Sequence, residues 1–480
     1  MIIDCQKIGS INSLILNKIW DSVKIEYEVN KRANFLLKNN VRAKDKVIIA
    51  HGGGPEFFAD LFSIWKIGAC AVCLNPKITN SELENICNFI KPSAILISEM
   101  SQKYSIKEYQ FLDLSDLEDN MSNQCEPVKI NNNSDALILF TSGTTGTPKG
   151  VVHTYASLKS RIKYNLKNIP TADLQNSLCL LPMHFGHGLI GNCLTPLAAG
   201  KNLFISNGSD IKNISLLGSI IDTNKISFLS SVPSLWKLII KLSSQPKLKT
   251  LKRIHVGSAP LSKILWNDII DWSSIKRVLN MYGITETANW ISGASSEDYD
   301  PVDGLVGKMW GGKAYVLDEN RNIILTGKGV ILLDIPSLMK GYYQLKDLTD
   351  RCIHDGLFNT GDIGTIDNEG TIIITGREKF EINRAGLKIN PEELDILIEK
   401  HELVDEACAF SIEDDVFGEV PGVAVKLNGS ISVAELKNWC TDKITIEKVP
   451  SKWFFVEEIP KTDRGKVDRL NIAAMCLAKS

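Results

Sequence analysis

The sequence predicts an α/β chain with a large N-terminal domain of several subdomains, residues 1–378, and a smaller α+β C-terminal domain, residues 379–480. Three observations carry this. As far as about residue 300, short apolar runs alternate with amphipathic segments, the pattern of layered α/β sheets. From about Gly304 the texture changes to short strands and turns, which reads as a small β-rich subdomain. After Gly376-Arg377 a further unit of about a hundred residues begins. Length agrees: at about 150 residues per domain, 480 residues make two or three domains with a sizeable core.

Lys46 to Ala50 reads as a strand because Val47-Ile48-Ile49 is β-branched throughout. Phe57 to Ile67 reads as a helix, and Gly68 to Leu74 as a buried strand. Asp135 to Phe140 is another strand; Phe228 to Val232, Arg253 to Val256 and Arg277 to Asn280 repeat the pattern. Polar Asp119 to Ser134, with three successive asparagines, is a surface loop. The β-rich part offers Ala314 to Leu317, Asn322 to Leu325, Val330 to Leu333 and Thr371 to Thr375. In the last unit Asn390 can cap a helix, Pro391 fits its first position and Glu393 completes a capping box.

Composition narrows the function. Lys and Arg number 54 against 56 Asp and Glu, so no basic excess points to nucleic acid or an anionic membrane. No apolar run reaches the roughly 18 residues of a membrane span, and Met1 to Lys7 begins no secretory signal. The 11 cysteines are odd in number and scattered, which suits reduced thiols in the cytoplasm. Cys70 and Cys73 make the one Cys-x-x-Cys; without a second pair or nearby His they read as core residues rather than a zinc site.

The strongest local signal follows the strand ending at Phe140: Thr141-Ser142-Gly143-Thr144-Thr145-Gly146-Thr147-Pro148-Lys149-Gly150. Glycines let the backbone approach an anion, N–H groups and hydroxyls donate to phosphate oxygens, and Lys149 adds a charge. The spacing of Gly143, Gly146 and Lys149 is not that of a Walker A loop.

This loop resembles the phosphate-binding signature of the ANL superfamily of adenylate-forming enzymes: acyl- and aryl-CoA synthetases, adenylation domains of peptide synthetases, and luciferases. Further matches follow in the family's order. They are Gly257-Ser258-Ala259-Pro260-Leu261, Tyr282-Gly283-Ile284-Thr285-Glu286, Thr360-Gly361-Asp362, Gly376-Arg377-Glu378-Lys379 and Pro460 to Lys466. The resemblance implies an enzyme that joins ATP and a carboxylic acid into acyl-AMP, releasing pyrophosphate. The acyl group then passes to the thiol of CoA or of a carrier protein's phosphopantetheine. Alternatives are a non-catalytic nucleotide-binding homologue, or adenylation with a non-thiol acceptor.

By the same resemblance, Thr141, Ser142, Gly143, Thr144, Thr145, Gly146 and Lys149 bind phosphate. Lys466, Thr285 and Glu286 are catalytic, and Glu286 with Thr144 meets Mg²⁺. Gly257, Ser258, Ala259, Pro260, Asn280, Met281, Tyr282, Gly283, Asp362 and Arg377 surround adenine and ribose. His184, Phe185, Gly186, His187, Ser231, Val232, His255 and Ile284 line the acyl pocket. Amino-acid-activating members carry an Asp at the position aligned to Gly186, so this chain is expected to take an acid without an α-amine, small, hydroxylated or aryl. His184 and His187 could bond a hydroxylated acid or gate the thiol tunnel. The family's C-terminal domain is mobile; Lys379 stands at its hinge and Gly386 at the thiol tunnel. Any carrier protein is expected to act in trans. Lys159, Lys163 and Lys167 could meet a CoA phosphate, but their spacing fits a solvated helix face better. Asp334-Ile335-Pro336, in place of a glycine-containing turn, and Phe380-Glu381, in place of a polar pair, depart from the pattern.

Overall fold

The computed structural model describes residues 2–98, 106, 108–114, 117, 122, 124–141, 149–208, 210–384, 387–414, 417–444, 446–462 and 465–478. They form three sheets. In the seven-stranded sheet Lys46–Ile49, Cys70–Cys73, Ala94–Ile97, Phe111–Asp113 and Asp135–Thr141 run parallel. Lys149–Thr154 and Gly341–Tyr342 extend one edge antiparallel. The Cys-x-x-Cys strand is buried at all four positions, as a strand covered on both faces must be, and all 11 cysteines are free thiols.

The largest sheet has 15 strands. Its parallel part contains Asn176–Cys179, Asn202–Ile205, Phe228–Ser231, Arg253–Gly257 and Val278–Tyr282. Past Val278–Tyr282 it turns antiparallel through Ser292–Ser295 and Leu305–Met309. It then runs into the β-rich segment through Ile372–Arg377, Leu357–Ile366, Gly327–Asp334 and Lys313–Leu317. That segment keeps a hydrophobic cluster around Val316, Ile331, Leu333 and Phe358, yet shares one hydrogen-bonded ladder with the large sheet. Antiparallel strands add to an edge without helical crossovers, which is why the texture changes where it does.

Between the two large sheets lies one apolar layer. The helix Pro55–Lys66 is buried along almost its whole length and sets Phe57, Phe58, Phe62 and Trp65 among Val47, Ile49, Leu203 and Ile205. Each such side chain contributes roughly 1.5–3 kcal/mol by burial. Trp65 keeps its one polar atom satisfied by donating to the Ala136 carbonyl at 2.7 Å. Helices Pro233–Leu242 and Lys263–Ser273 cover the outer face of the large sheet, and Asn80–Ile90 that of the smaller one.

The C-terminal residues build a five-stranded sheet around Val404–Asp414 and Gly418–Leu427, with its own core. In place of the expected capping box with Glu393, Asn390 accepts from the Glu392 N–H and its amide reaches across to the Thr375 carbonyl. Two ion pairs also bridge to the N-terminal part: Lys237–Glu399 at 3.2 Å and Lys400–Asp303 at 2.9 Å. No helix among the described residues is long and apolar enough to cross a membrane.

Candidate active site

The site gathers at the carboxyl ends of the parallel strands of the large sheet, where open α/β sheets leave a crevice. Thr141 and Lys149, at the two ends of the phosphate loop, pair across the antiparallel ladder. Its Ser142, Gly143, Thr144, Thr145 and Gly146 lie outside the described residues, as does Gly386.

The turn after Val278–Tyr282 carries Thr285 and Glu286, and its three successive carbonyls are pinned. His153 Nε2 holds the Thr285 carbonyl at 2.8 Å, the Met339 N–H the Glu286 carbonyl at 2.8 Å, and Ser337 Oγ the Thr287 carbonyl at 3.1 Å. His153 is fully buried, which lowers its pKa to about 4 and leaves the ring neutral. Tyr342 donates its hydroxyl to Glu286 Oε1 at 2.8 Å.

A second group joins three strands. Asp362 receives the Tyr282 hydroxyl on Oδ2 and the Arg377 Nε on Oδ1 at 2.7 Å. Each carboxylate oxygen keeps a further lone pair for a hydroxyl donor. Asp362 holds the Arg377 pKa up, while burial raises that of the Tyr282 phenol. The Asn280 amide donates to the Leu305 carbonyl at 2.7 Å, which fixes its orientation.

Two cavities meet here. The larger, about 320 Å³, lies between the N-terminal part and the C-terminal sheet. Ser258, Ala259, Pro260, Asn280, Met281, Tyr282, Gly283, Asp362 and Arg377 line it, with Glu392 and Arg469 from the C-terminal side. Gly257 sits just behind, where a Cβ would stand 2.9 Å from the Met281 carbonyl. The smaller, about 70 Å³, is lined by Phe185, Gly186, His187, Val232, Ile284 and Thr285. Lys466, Ser258, Gly283 and Ile284 border both. Lys466 arrives on a tight turn in which the Thr462 N–H bonds the Lys466 carbonyl at 2.7 Å. Gly465 in that turn has φ +72°, and a Cβ there would meet Ser234 Oγ at 2.9 Å, so glycine suits on both counts.

His187 opens the π-helix His187–Leu194, a rare kind of element that is frequent at functional sites. Its Nδ1 lies 2.8 Å from Ser258 Oγ and its Nε2 2.7 Å from Ser230 Oγ. Burial and then the nearby Lys466 charge lower its pKa to about 3, so the ring is neutral. A Cβ on Gly186 would stand 2.7 Å from the Ala288 carbonyl, so packing alone excludes a side chain.

Three residues expected in the acyl pocket do not line the smaller cavity. His255 stands behind Trp290, edge-on at 4.5 Å between ring centroids, with its Nε2 accepting from Arg253 Nε. Ser231 is buried in its strand, whose neighbour Ser230 turns towards His187. His184 packs on Phe185, 4.1 Å between centroids. Conversely Trp290, Ala288 and Asn289 line the cavity and were missed. An apolar tryptophan just past a motif reads as core, and only the turn back into Ser292–Ser295 brings it to the pocket. Lys379 falls in the short 3₁₀ turn Glu378–Phe380 after the strand Ile372–Arg377.

Residues 24–343 match the family model of the AMP-binding enzyme, and residues 393–466 that of the AMP-binding enzyme C-terminal domain. The chain belongs to the AMP-binding enzyme family. A probable CoA ligase, CCL9, of Humulus lupulus is 28% identical, over 95% of this chain and 91% of its own length. An oxalate–CoA ligase of Arabidopsis thaliana is 30% identical, over 72% of this chain and 68% of its own. In structure, the O-succinylbenzoate coenzyme A synthetase (MenE) from Bacillus subtilis, in complex with ATP and magnesium ion, matches with a TM-score of 0.85, at 22% identity and 97% coverage of both chains. The chain is an acid–thiol ligase, which forms an acyl adenylate and then a thioester.

Proposed function

We propose that this AMP-binding enzyme activates a small carboxylic acid without an α-amine, hydroxylated or aryl, using ATP and Mg²⁺. It then passes the acyl group to CoA or to a separate carrier protein's phosphopantetheine. The observation that carries this reading is Lys466, which borders both cavities. The smaller cavity takes the acid and the larger the nucleotide. Charge develops where carboxylate attacks the α-phosphorus, at their junction, and a positioned ammonium there stabilises it. Thr285 donates to the α-phosphate, Tyr282 stacks on adenine beside Asn280, and Asp362, held by Arg377, accepts from the ribose hydroxyls. Lys149 and the hydroxyls of the phosphate loop hold the remaining phosphates.

Size supports a small acid, since about 70 Å³ accommodates roughly five water-sized positions. Neutral His187 and closely packed Gly186 leave the pocket without a counter-ion for an ammonium group, which supports the exclusion of α-amino acids. The donor set suits Mg²⁺. Among the described residues no three His, Cys, Asp or Glu gather into a cage, and Mg²⁺ takes one or two carboxylates and completes its shell with phosphate and water. Glu286 would hold it, with Thr144 alongside; when bound the ion neutralises phosphate charge. After adenylation the C-terminal domain turns about Lys379, withdraws Lys466 and admits the thiol past Gly386. Eleven free thiols support a cytoplasmic setting.

Lys466→Ala tests the reading. ATP–pyrophosphate exchange with the preferred acid of a panel should fall by roughly 10²–10³. Thioester formation from supplied acyl-AMP should be spared. Equal loss in both half-reactions would make Lys466 a structural residue.

A further inference from the structure

Glu286 is gripped twice by one short segment. The Met339 N–H holds its carbonyl at 2.8 Å, and three residues on the Tyr342 hydroxyl holds its carboxylate at 2.8 Å. The same segment is anchored to the strand that leaves the phosphate loop: Gly341 pairs with Val152 and Tyr342 with Val151, in the ladder that starts at Lys149. The Lys340 N–H bonds the Val152 carbonyl at 2.8 Å, and the Tyr342 N–H bonds Thr349 Oγ1 at 2.9 Å. The ring is therefore fixed by its backbone before it meets Glu286.

A phenol has one proton to donate. Spent on Oε1, it leaves Oε2 to accept from elsewhere and stops the carboxylate from turning to offer both oxygens. We infer that Tyr342 is a positioning residue for the Mg²⁺ carboxylate: its hydroxyl fixes the Glu286 rotamer and presents Oε2, tying the metal site to the strand that ends the phosphate loop. The inference rests on the reading of Glu286 as the Mg²⁺ carboxylate. Tyr342 touches neither nucleotide nor metal in this account; it acts through Glu286. Hydrogen-bond partners of ligating carboxylates typically change metal affinity by roughly 10- to 100-fold when removed.

The test uses the full chain with a non-hydrolysable α,β-methylene ATP and Mn²⁺ in place of Mg²⁺, free Mn²⁺ being counted by electron paramagnetic resonance. Tyr342→Phe removes one oxygen and keeps the ring and the strand pairing. It should weaken Mn²⁺ binding to the protein–analogue complex by about 10- to 100-fold. Metal-free AMP binding and the melting temperature should hardly move. Mn²⁺ affinity within twofold of wild type would overturn the inference. So would an equal fall in AMP binding, because a merely structural hydroxyl would disturb the whole nucleotide site. Glu286→Gln, measured alongside, separates the two claims. If it too leaves Mn²⁺ affinity unchanged, the metal reading of Glu286 falls and this inference with it. If it weakens Mn²⁺ while Tyr342→Phe does not, only the role of Tyr342 fails.

Discussion

If Lys466 acts at the α-phosphate as proposed, the two ion pairs between the N- and C-terminal parts should act as a latch on the adenylating arrangement. In it Lys466 borders both cavities while Lys237–Glu399 and Lys400–Asp303 hold the Pro391–Ile398 region against the N-terminal part. All four side chains are partly exposed, from 25% to 43%. Such a pair is worth about 0.2–1 kcal/mol, so the two together contribute roughly 0.5–2 kcal/mol. At 1.4 kcal/mol per tenfold, that is about a 2- to 30-fold bias between conformers. Glu399→Gln with Asp303→Asn removes the charges and keeps the acceptors that serve the Ala407 and Lys263 N–H groups. Where the adenylating conformer already dominates, its population hardly changes, so exchange should stay within about twofold. The minor conformer that meets the thiol should rise by the full factor. Single-turnover thioester formation from bound acyl-AMP should quicken accordingly, and a fluorescence pair across the domains should report the shift. Raised salt should do the same to wild type, because partly exposed pairs are screened. A double variant whose domain distribution matches wild type at low salt would refute the latch.

Other expectations follow from burial and close contact. His153, with its pKa lowered to about 4, His187 at about 3, and His255, also lowered by burial, stay neutral in the fold. The unfolded chain takes up those protons below about pH 6.5. Stability should therefore be complete above pH 6.5 and decline as pH falls towards 4, each histidine adding up to about 1.4 kcal/mol per pH unit. Urea midpoints of His153→Gln should decline less steeply over that window; an unchanged slope would contradict a neutral His153. Gly186→Ala puts a methyl 2.7 Å from the Ala288 carbonyl, where Ala288 already has φ +70°. Overpacking of roughly 1–3 kcal/mol should cost acid activation at least tenfold while AMP binding, measured by calorimetry, stays within about threefold. For the same reason Gly186→Asp should not make α-amino acids substrates; exchange with any of them would refute the packing argument.

The fold was legible wherever one period dominated. Val47-Ile48-Ile49 and the Cys70 strand read as buried strands because parallel strands are covered on both faces and show no polar alternation. Less legible was the joining of the β-rich segment to the large sheet, since that depends on which edges pair, as Leu305–Met309 does with Ile372–Arg377. In the site, residues inside motifs were placed together: Tyr282, Asp362 and Arg377 form one hydrogen-bonded group. His255 was misplaced by one layer because strand alternation says which face a side chain takes, not whether a ring such as Trp290 fills the space in front.

The partners of the motif residues were hidden for a different reason. His153, Ser337, Met339 and Tyr342 are far in sequence from the Thr285–Thr287 turn they hold, and each has a bland local reading as a strand or loop residue. Their role exists only because Gly341–Tyr342 adds to the edge of the seven-stranded sheet while the 3₁₀ turn Thr285–Thr287 follows the strand Val278–Tyr282 of the large one. That contact fastens the two sheets together at the point where the phosphate loop ends and the acidic turn begins. If Glu286 faces the triphosphate as proposed, these two elements need a fixed register, and hydrogen bonds to the backbone of the turn supply it. Hydrogen bonds to three successive carbonyls, two from side chains and one from the Met339 N–H, restrain the turn. On the proposed reading, Thr285 and Glu286 meet the nucleotide and its metal, while the residues that fix their turn stay out of the chemistry.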